Sequence, residues 1–257
     1  MTESPAKFRA LFLDEENSPN ISYTWGIWDQ NVIKVLKHRQ IFCFAWKWMD
    51  EKKIYASALP DFPGYQPGLI NYINQGNWGL MQKLHSVISQ ADIVIGHNLV
   101  EFDDKRARTD LIKNGFMAIP PHKTIDTLKV ARSLFDFNSN KLDDLGEFLG
   151  VGRKVKHKGF QLWEDCMEGK PTAWRDMKIY NRGDISLLER VYYKLRPWMT
   201  NHPNMNPFKS CCPYCEGTNM HSRGARRNKI QFVSRFQCQD CGKWANGFLS
   251  KGVWYYR

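Results

Sequence analysis

The sequence lacks a long hydrophobic segment. No uninterrupted apolar run approaches the roughly 18 to 20 residues that a membrane-spanning helix needs. The N-terminal residues MTESPAKFRA also lack the apolar core of a secretory signal peptide. We therefore predict no transmembrane helix and no membrane partner, and we expect the protein in the cytoplasm.

Cysteine is scarce in most of the chain, and acidic residues are outnumbered. Of seven cysteines, only Cys43 and Cys166 precede residue 200, which excludes a disulfide framework for the larger part of the chain. The chain has 37 Lys and Arg residues against 26 Asp and Glu residues, a net charge of +11. Residues 206–257 alone contain nine basic and two acidic residues. This excess of positive charge indicates an anionic partner.

Hydrophobic spacing divides the chain into strands followed by helices. Strands are predicted as a hairpin or three-stranded meander over Phe8–Leu13, Ile21–Trp28 and Ile41–Trp48. A buried strand at Ile93–Ile95 precedes helical patterns over Glu101–Lys113, Thr127–Leu134, Leu142–Leu149 and Trp174–Leu195. This order favours an α/β fold with a mixed sheet covered by helices. The tryptophans from Trp25 to Trp48 are interpreted as packing within the hairpin, with a base-stacking platform as the alternative.

Three consecutive acids, Asp14, Glu15 and Glu16, follow the apolar residues LFL. Side chains alternate along a strand, so Asp14 and Glu16 share one face and Glu15 lies on the other. Paired carboxylates suit Mg²⁺ or Mn²⁺, although a single D-x-E pair is also typical of a solvated strand end. Glu15 is expected to emerge from the core or to pair with a basic residue. A buried, unpaired Glu15 would indicate that this register is wrong.

Two later segments carry further acids. IGHNLVEFDD places Asn98, Phe102 and Asp103 at a strand-to-helix junction. YNRGDISLLERVYYKL places Tyr180 and Asp184 one helical turn apart. With the D-x-E pair, these segments resemble the DEDD superfamily of 3′–5′ exonucleases.

The resemblance extends from about Phe8 to Trp198. The tyrosine branch (DEDDy) is the more similar, because Ile179 stands where the other branch has histidine. The segments resemble the proofreading domains of family B DNA polymerases and stand-alone phage and bacterial relatives. IDTLKVAR around Asp126 looks like a segment that supports the site in that family.

The resemblance implies a ribonuclease-H-like fold and a site for two Mg²⁺ or Mn²⁺ ions. Asp14 would bridge both ions, Glu16 and Asp184 would complete the ligands of the first, and Asp103 would hold the second. Tyr180 would orient the attacking water by hydrogen bonding, since a reference pKa of about 10 makes it a poor base. The implied products are nucleoside 5′-monophosphates, and the implied setting is a bacterial cytoplasm or a phage-infected cell.

Residues beside these motifs have two interpretations each. Asn98 is expected to contact the sugar or to support the turn. Phe102 is expected to wedge against a terminal base or to join the core. The basic run Arg153–Lys158 either contacts the phosphate backbone or forms a solvated loop.

The C-terminal part contains two CxxC pairs separated by 22 residues, and their cysteines are Cys212, Cys215, Cys238 and Cys241. Four thiolates supply the tetrahedral ligands of Zn²⁺, and the spacing resembles a zinc ribbon. We predict one structural Zn²⁺, which would contribute folding energy to a domain with little core. Lys229–Gln237 is predicted to be a strand.

The segment Ser222–Lys229 is expected to form a loop between the two cysteine pairs. Its basic residues are predicted to bind nucleic acid: Arg223, Arg226, Arg227 and Lys229. Phe232, Phe236 and Trp244 lie nearby in sequence and suit stacking on bases. The alternative is a solubilising loop on a protein-binding ribbon.

We therefore predict an exonuclease domain over residues 1–200, a linker over 201–209 and a basic zinc ribbon over 210–257. The predicted activity is hydrolysis of phosphodiester bonds at the 3′ ends of single-stranded DNA. RNA is the alternative substrate. A non-catalytic nucleic-acid or replication adaptor is the alternative from another class, and a replication or repair complex is a candidate partner.

Overall fold

The structure, a computed structural model, describes residues 8–28, 31–199, 202–205, 210–227 and 232–256. Its internal contacts divide the chain into two units. The larger unit comprises Arg9–Lys129 and Phe137–Val191. The remaining described residues form the smaller unit.

The larger unit contains a five-stranded mixed sheet and a separate two-stranded hairpin. The strands are β1 (Ala10–Asn17), β2 (Ile21–Tyr23), β3 (Lys34–Lys37), β4 (Ile41–Trp48), β5 (Tyr55–Ala58), β6 (Ile93–Gly96) and β7 (Lys123–Asp126). The five-stranded sheet has the order β5-β4-β1-β6-β7. Strand β4 is antiparallel to both of its neighbours, whereas β1, β6 and β7 are parallel. The hairpin pairs β2 with β3.

Seven α-helices are described between Leu69 and Leu195. They are α1 (Leu69–Asn74), α2 (Trp78–Ile88), α3 (Asp103–Lys113), α4 (Thr127–Leu134), α5 (Leu142–Phe148), α6 (Gln161–Met167) and α7 (Pro171–Leu195). Apolar side chains of the sheet, α2, α3, α6 and α7 form one buried core. Within the described residues, no helix is both long and apolar enough to cross a membrane. The predicted fold class, a ribonuclease-H-like mixed sheet flanked by helices, is confirmed.

Two predictions about the first strands are wrong. Strand β1 continues through the acids to Asn17, and it pairs with β4 rather than with β2. Strand β1 ends at Asn17, and Pro19, which follows Ser18, has no N–H to donate to a neighbouring strand. The tryptophans also divide into two groups. Trp46 is buried as predicted, whereas Trp25 is 89% exposed and does not pack within the hairpin.

The smaller unit contains a four-stranded antiparallel sheet. Its strands are β8 (Met220–Arg227), β9 (Phe232–Cys238), β10 (Trp244–Ser250) and β11 (Val253–Tyr256), in the order β11-β10-β9-β8. The prediction of a loop over Ser222–Lys229 is therefore wrong for its first six residues, which belong to β8. The backbone there forms a bulge between Ser222 and Ala225, which lets Gly224 adopt a φ of +77° within the ladder. Lys229 lies outside the described residues.

Candidate active site and zinc site

The end of β1 places the first two acids beside α7. The pairing of β1 with β6 stops at Phe12, so the residues beyond it have no neighbouring strand on that side. Alternation along β1 places Asp14 and Glu16 on the same side, as predicted. Ligand oxygens of Asp14, Glu16 and Asp184 lie within 4.8 Å of one another.

Helix α7 supplies Tyr180, Asn181 and Asp184 to this cluster. Asp184 is 1% exposed, and Tyr180 lies one turn before it on the same helix face. The Asn181 side-chain amide donates hydrogen bonds to the carboxylate and the main-chain oxygen of Asp14. Sequence reasoning did not single out Asn181. Its position directly after the tyrosine of the third motif was the available signal.

Crowding of these carboxylates makes the site strongly attractive to cations. Burial and the neighbouring charge of Asp184 raise the pKa of Asp14 to about 7. Burial, Asp14 and Asp184 raise the pKa of Glu16 well above its usual range. The Oδ1 atom of Asp184 is buried and accepts no hydrogen bond from the described residues. An oxygen-rich cluster with an unsatisfied buried carboxylate oxygen fits a divalent metal ion of the Mg²⁺ type.

Asp103 begins α3 and lies outside the three-residue cluster. Its carboxylate lies near the main chain of Glu15, just beyond the point where β6 stops pairing with β1. Burial, followed by the charge of Asp14, raises the pKa of Asp103 well above its usual range. Asp103 is thus close enough to Asp14 to interact with it electrostatically, and it is 4% exposed.

Asp126, at the end of β7, holds the turn that precedes Asp103. Its carboxylate accepts main-chain hydrogen bonds from Asn98 at 2.9 Å and from Val100 at 3.1 Å. Asn98 adopts a φ of +63°, which few residues other than glycine and asparagine tolerate. Phe102 is 43% exposed, so it is not part of the closed core.

Lys154 is a site residue that sequence reasoning did not identify individually. Its Nζ donates to Asp184 Oδ2 at 2.7 Å and to the Tyr180 hydroxyl at 3.1 Å. Burial alone would lower the pKa of Lys154, but the charges of Asp184 and Asp14 raise it above its usual value. The lysine is therefore held as an ammonium ion against the acids. The available signal was its place in the basic run Arg153–Lys158, for which the sequence offers two interpretations.

The loop that carries Lys154 is fixed on both sides. The Lys154 main-chain N–H donates to Asp143 Oδ1 at 2.7 Å, and Arg153 pairs with Asp143 at 2.9 Å and with Glu147 at 2.8 Å. On the α7 side, Gly183 leaves room for the loop. A Cβ atom at Gly183 would lie 2.5 Å from Val155 Cγ2, closer than two carbons can approach.

The surroundings of Glu15 contradict both expectations, because the side chain neither emerges from the core nor pairs with a basic residue. It is 5% exposed, and neither of its carboxylate oxygens has a hydrogen-bond partner among the described residues. The register is nevertheless the predicted one, because its two neighbours share the other face. Burial and the charges of Asp103, Asp110 and Asp14 raise the pKa of Glu15 well above its usual range. The side chain avoids the cost of a buried charge by holding its proton.

The four cysteines of the two CxxC pairs converge in the smaller unit. Sγ–Sγ distances are 3.7 Å between Cys212 and Cys241 and 3.6 Å between Cys215 and Cys238. All four sulfur atoms lie within 4.8 Å of one another. Zn–S bonds of about 2.3 Å in a tetrahedron separate sulfurs by about 3.8 Å. The cluster therefore has the dimensions of a Zn²⁺ site.

Both cysteine pairs lie in turns of the same geometry. The N–H of Glu216 donates to the Cys212 carbonyl at 3.0 Å, and the N–H of Gly242 donates to the Cys238 carbonyl at 2.9 Å. The residue after each pair has a positive φ, +65° at Glu216 and +73° at Gly242. Glycine at the second position adopts this conformation without strain, whereas Glu216 must be held there. Its carboxylate accepts a hydrogen bond from Arg196 at 2.9 Å.

The predicted nucleic-acid-binding arginines lie on β8. Arg223, Arg226 and Arg227 are all exposed. Phe236, which was expected to be available for stacking, is instead 5% exposed and belongs to the small core. Trp244 is 45% exposed and Phe232 is 73% exposed.

Comparisons with known proteins support the fold. No protein-family model matches the sequence, and no curated protein sequence matches it. A similar solved structure is that of the family B DNA polymerase from the hyperthermophilic archaeon Pyrobaculum calidifontis, with a TM-score of 0.52 and 14% sequence identity. The match covers 77% of this chain and 26% of the polymerase, so this chain spans about a quarter of that protein. At this identity the similarity shows a common fold.

Proposed function

We propose that the chain is a metal-dependent 3′–5′ exonuclease acting on single-stranded DNA. The observation that carries this proposal is the meeting of Asp14, Glu16 and Asp184 at the end of β1, with Asp103 beside them. Three carboxylates this close, with a fourth acid near enough to interact electrostatically, repel one another when ionised, and a bound cation relieves that repulsion. Such a site suits the hydrolysis of a phosphodiester, whose charged oxygens bind the same ions.

In the proposal, Asp14, Glu16 and Asp184 would hold one divalent ion, and Asp103 with Asp14 would hold a second. When bound, such ions activate a water molecule and stabilise the charge that develops on the leaving oxygen. A tight carboxylate cluster and a nearby fourth acid support this division of ligands. Asn181 keeps the Asp14 carboxylate oriented through its amide hydrogen bond.

The proposed role of Tyr180 is hydrogen bonding to the attacking water. Burial and the charges of Asp184 and Glu16 raise the pKa of Tyr180 above its usual range, so the hydroxyl keeps its proton. The hydroxyl oxygen accepts a hydrogen bond from Lys154, and the O–H interacts with the Asp184 carboxylate, which keeps the hydroxyl beside the position proposed for the water molecule. Lys154 also places positive charge beside the acids, where the proposal puts the phosphate of the substrate.

The smaller unit is proposed to be a zinc-stabilised ribbon that binds the nucleic acid. Its four-cysteine cluster and its exposed arginines support this role. The proposed division of the chain follows the predicted boundaries, with the catalytic domain in residues 1–200 and the ribbon in residues 210–257.

The test uses 5′-labelled single strands of DNA and of RNA, incubated with Mg²⁺ or Mn²⁺. We expect the strands to shorten from the 3′ end with release of nucleoside 5′-monophosphates, and DNA to be the better substrate. Asp14→Asn should abolish the shortening. Asp176→Asn is the matched control, because Asp176 is an exposed aspartate on the same helix as Asp184. A parent protein that binds both strands but shortens neither would favour the adaptor alternative.

A further inference from the structure

The four-stranded sheet of the smaller unit has one face that builds its core. Cross-strand pairing places Ala245 opposite Phe236, and Tyr256 opposite Gly247. Residues directly opposite in an antiparallel sheet share a face. Phe236, Ala245 and Tyr256 are buried together there, and Met220 and Trp254 pack against them.

The alternate positions form the opposite face, which we call the open face. It carries three arginines and three aromatic residues: Arg223, Arg226, Arg235, Trp244, Phe248 and Tyr255. Trp244 and Phe248 are 45% and 42% exposed. None of the four strands contains an acidic residue. The open face is thus positively charged and aromatic at once.

The side chains of the open face are held in position by one another. The Arg235 guanidinium lies 4.2 Å from the centre of the Trp244 ring, a cation–π contact. Phe248 stacks on Tyr255 with ring centres 5.6 Å apart. Arg223 donates from Nε to Gln237 Oε1 at 3.2 Å. Side chains ordered in advance lose less conformational entropy when a ligand binds.

We propose that the open face is a platform for single-stranded nucleic acid, on which bases stack against Trp244 and Phe248 while the arginines contact phosphates. This deepens the function proposed above and rests on it for the identity of the substrate. Exposed aromatic rings and cations on one face match the alternating bases and charges of a single strand. A duplex hides its base faces, so the platform discriminates against it.

The register also separates the predicted arginines. Arg226 pairs with Val233 and lies on the open face, whereas Arg227 pairs with Phe232 and lies on the other. The Arg227 guanidinium is 6.0 Å from the centre of the Phe232 ring, which confirms their common side. Two neighbouring residues of the same type therefore provide a matched pair for mutation.

The test measures binding of labelled oligothymidylate by fluorescence anisotropy. It uses the full-length, zinc-loaded chain with Asp14→Ala, so that binding is read without hydrolysis. Trp244→Ala should weaken binding at least about fivefold, the lower limit for losing one base–aromatic stack. Trp244→Phe should retain most of the affinity. Phe232→Ala, which removes an exposed ring from the other face, should leave the affinity unchanged.

Salt dependence tests the arginines. Arg226→Ala should reduce the slope of log affinity against log salt by about 0.7, the value for one phosphate contact on a single strand. Arg227→Ala should leave the slope unchanged. Zinc content of about one ion per chain in every variant shows that the ribbon is intact.

The outcomes separate this proposal from the catalytic one. Equal affinities for Trp244→Ala, Phe232→Ala and the parent would overturn the platform, even if the parent protein degrades DNA. Equal or tighter binding to the matching duplex would also overturn it. Failure of the parent to degrade any strand would overturn the exonuclease and leave the platform standing on its binding data.

Discussion

Replacing Gly183 by alanine tests how the Lys154 loop is held against the candidate site. Gly183 lies inside α7, one residue before Asp184. An added Cβ would meet Val155 Cγ2 at 2.5 Å, so the Val155 side chain must shift, and we expect the loop to move with it. Lys154, the residue before Val155, should then lose its short contacts with Asp184 and Tyr180. The substitution is small, but its effect should reach the carboxylate cluster.

Two opposing contributions set the expected change in stability. Alanine is favoured over glycine inside a helix by about 1 kcal/mol. Overpacking typically costs about 1–3 kcal/mol. Gly183→Ala should therefore lower the free energy of unfolding by about 0–2 kcal/mol. In a Val155→Ala background the clash is absent. Gly183→Ala should there raise the free energy of unfolding by up to about 1 kcal/mol.

The double-mutant cycle is measured by urea unfolding and by the rate of single-strand shortening with Mg²⁺. We expect Gly183→Ala to slow hydrolysis, and Val155→Ala/Gly183→Ala to recover it, because the loop can return to α7. If Gly183→Ala stabilises the protein equally in both backgrounds, the close approach of the loop to the helix is refuted. If stability behaves as expected but the rate never changes, Lys154 has no part in the reaction.

Three further predictions concern single groups. Lys154→Met should lower the rate of strand shortening by about 10-fold to 100-fold, the effect of losing a charged hydrogen bond, while Lys156→Met, an exposed lysine of the same loop, should not. Cys238→Ser should lower the zinc content measured by atomic absorption and weaken DNA binding; full zinc occupancy would argue against the four-cysteine site. For Glu15→Gln, the raised pKa of Glu15 means that the folded chain binds this proton more tightly than the unfolded chain. The stability from that proton is complete below about pH 4.3, the pKa expected for the unfolded chain. As the pH rises toward the folded pKa, the parent should lose about 1.4 kcal/mol per pH unit relative to Glu15→Gln. Urea unfolding across pH measures this slope, and the exposed Glu164→Gln should show none.

Local sequence patterns were sufficient to predict the fold class. The strand Ile41–Trp48 and the helix Thr127–Leu134 have the predicted bounds, because their residue types and spacing agree with their final burial. The alternation that separates Asp14 and Glu16 from Glu15 is likewise a local property of any strand. The two CxxC pairs predicted that four sulfur atoms converge, because the two cysteines of each pair share one tight turn.

Contacts between segments that are distant in sequence decided the features that local patterns did not predict. Lys154 contacts Asp184 across 30 residues of sequence, and no local pattern distinguishes it from the other lysines of its loop. Glu15 is buried because α3 begins beside it where β6 stops pairing, although an acid at that position is unfavourable on its own. Arg226 and Arg227 look equivalent in the sequence and lie on opposite faces of the sheet.

By itself, then, the sequence determined the mixed sheet, the order of the acids and the spacing of the cysteines, since these follow from chain periodicity and turn geometry. Only the tertiary structure decided which cation faces the acids, which carboxyl must hold a proton, and which face of the ribbon is open. Those properties depend on strand register and on the approach of distant segments, and both are settled by packing rather than by any short run of residues.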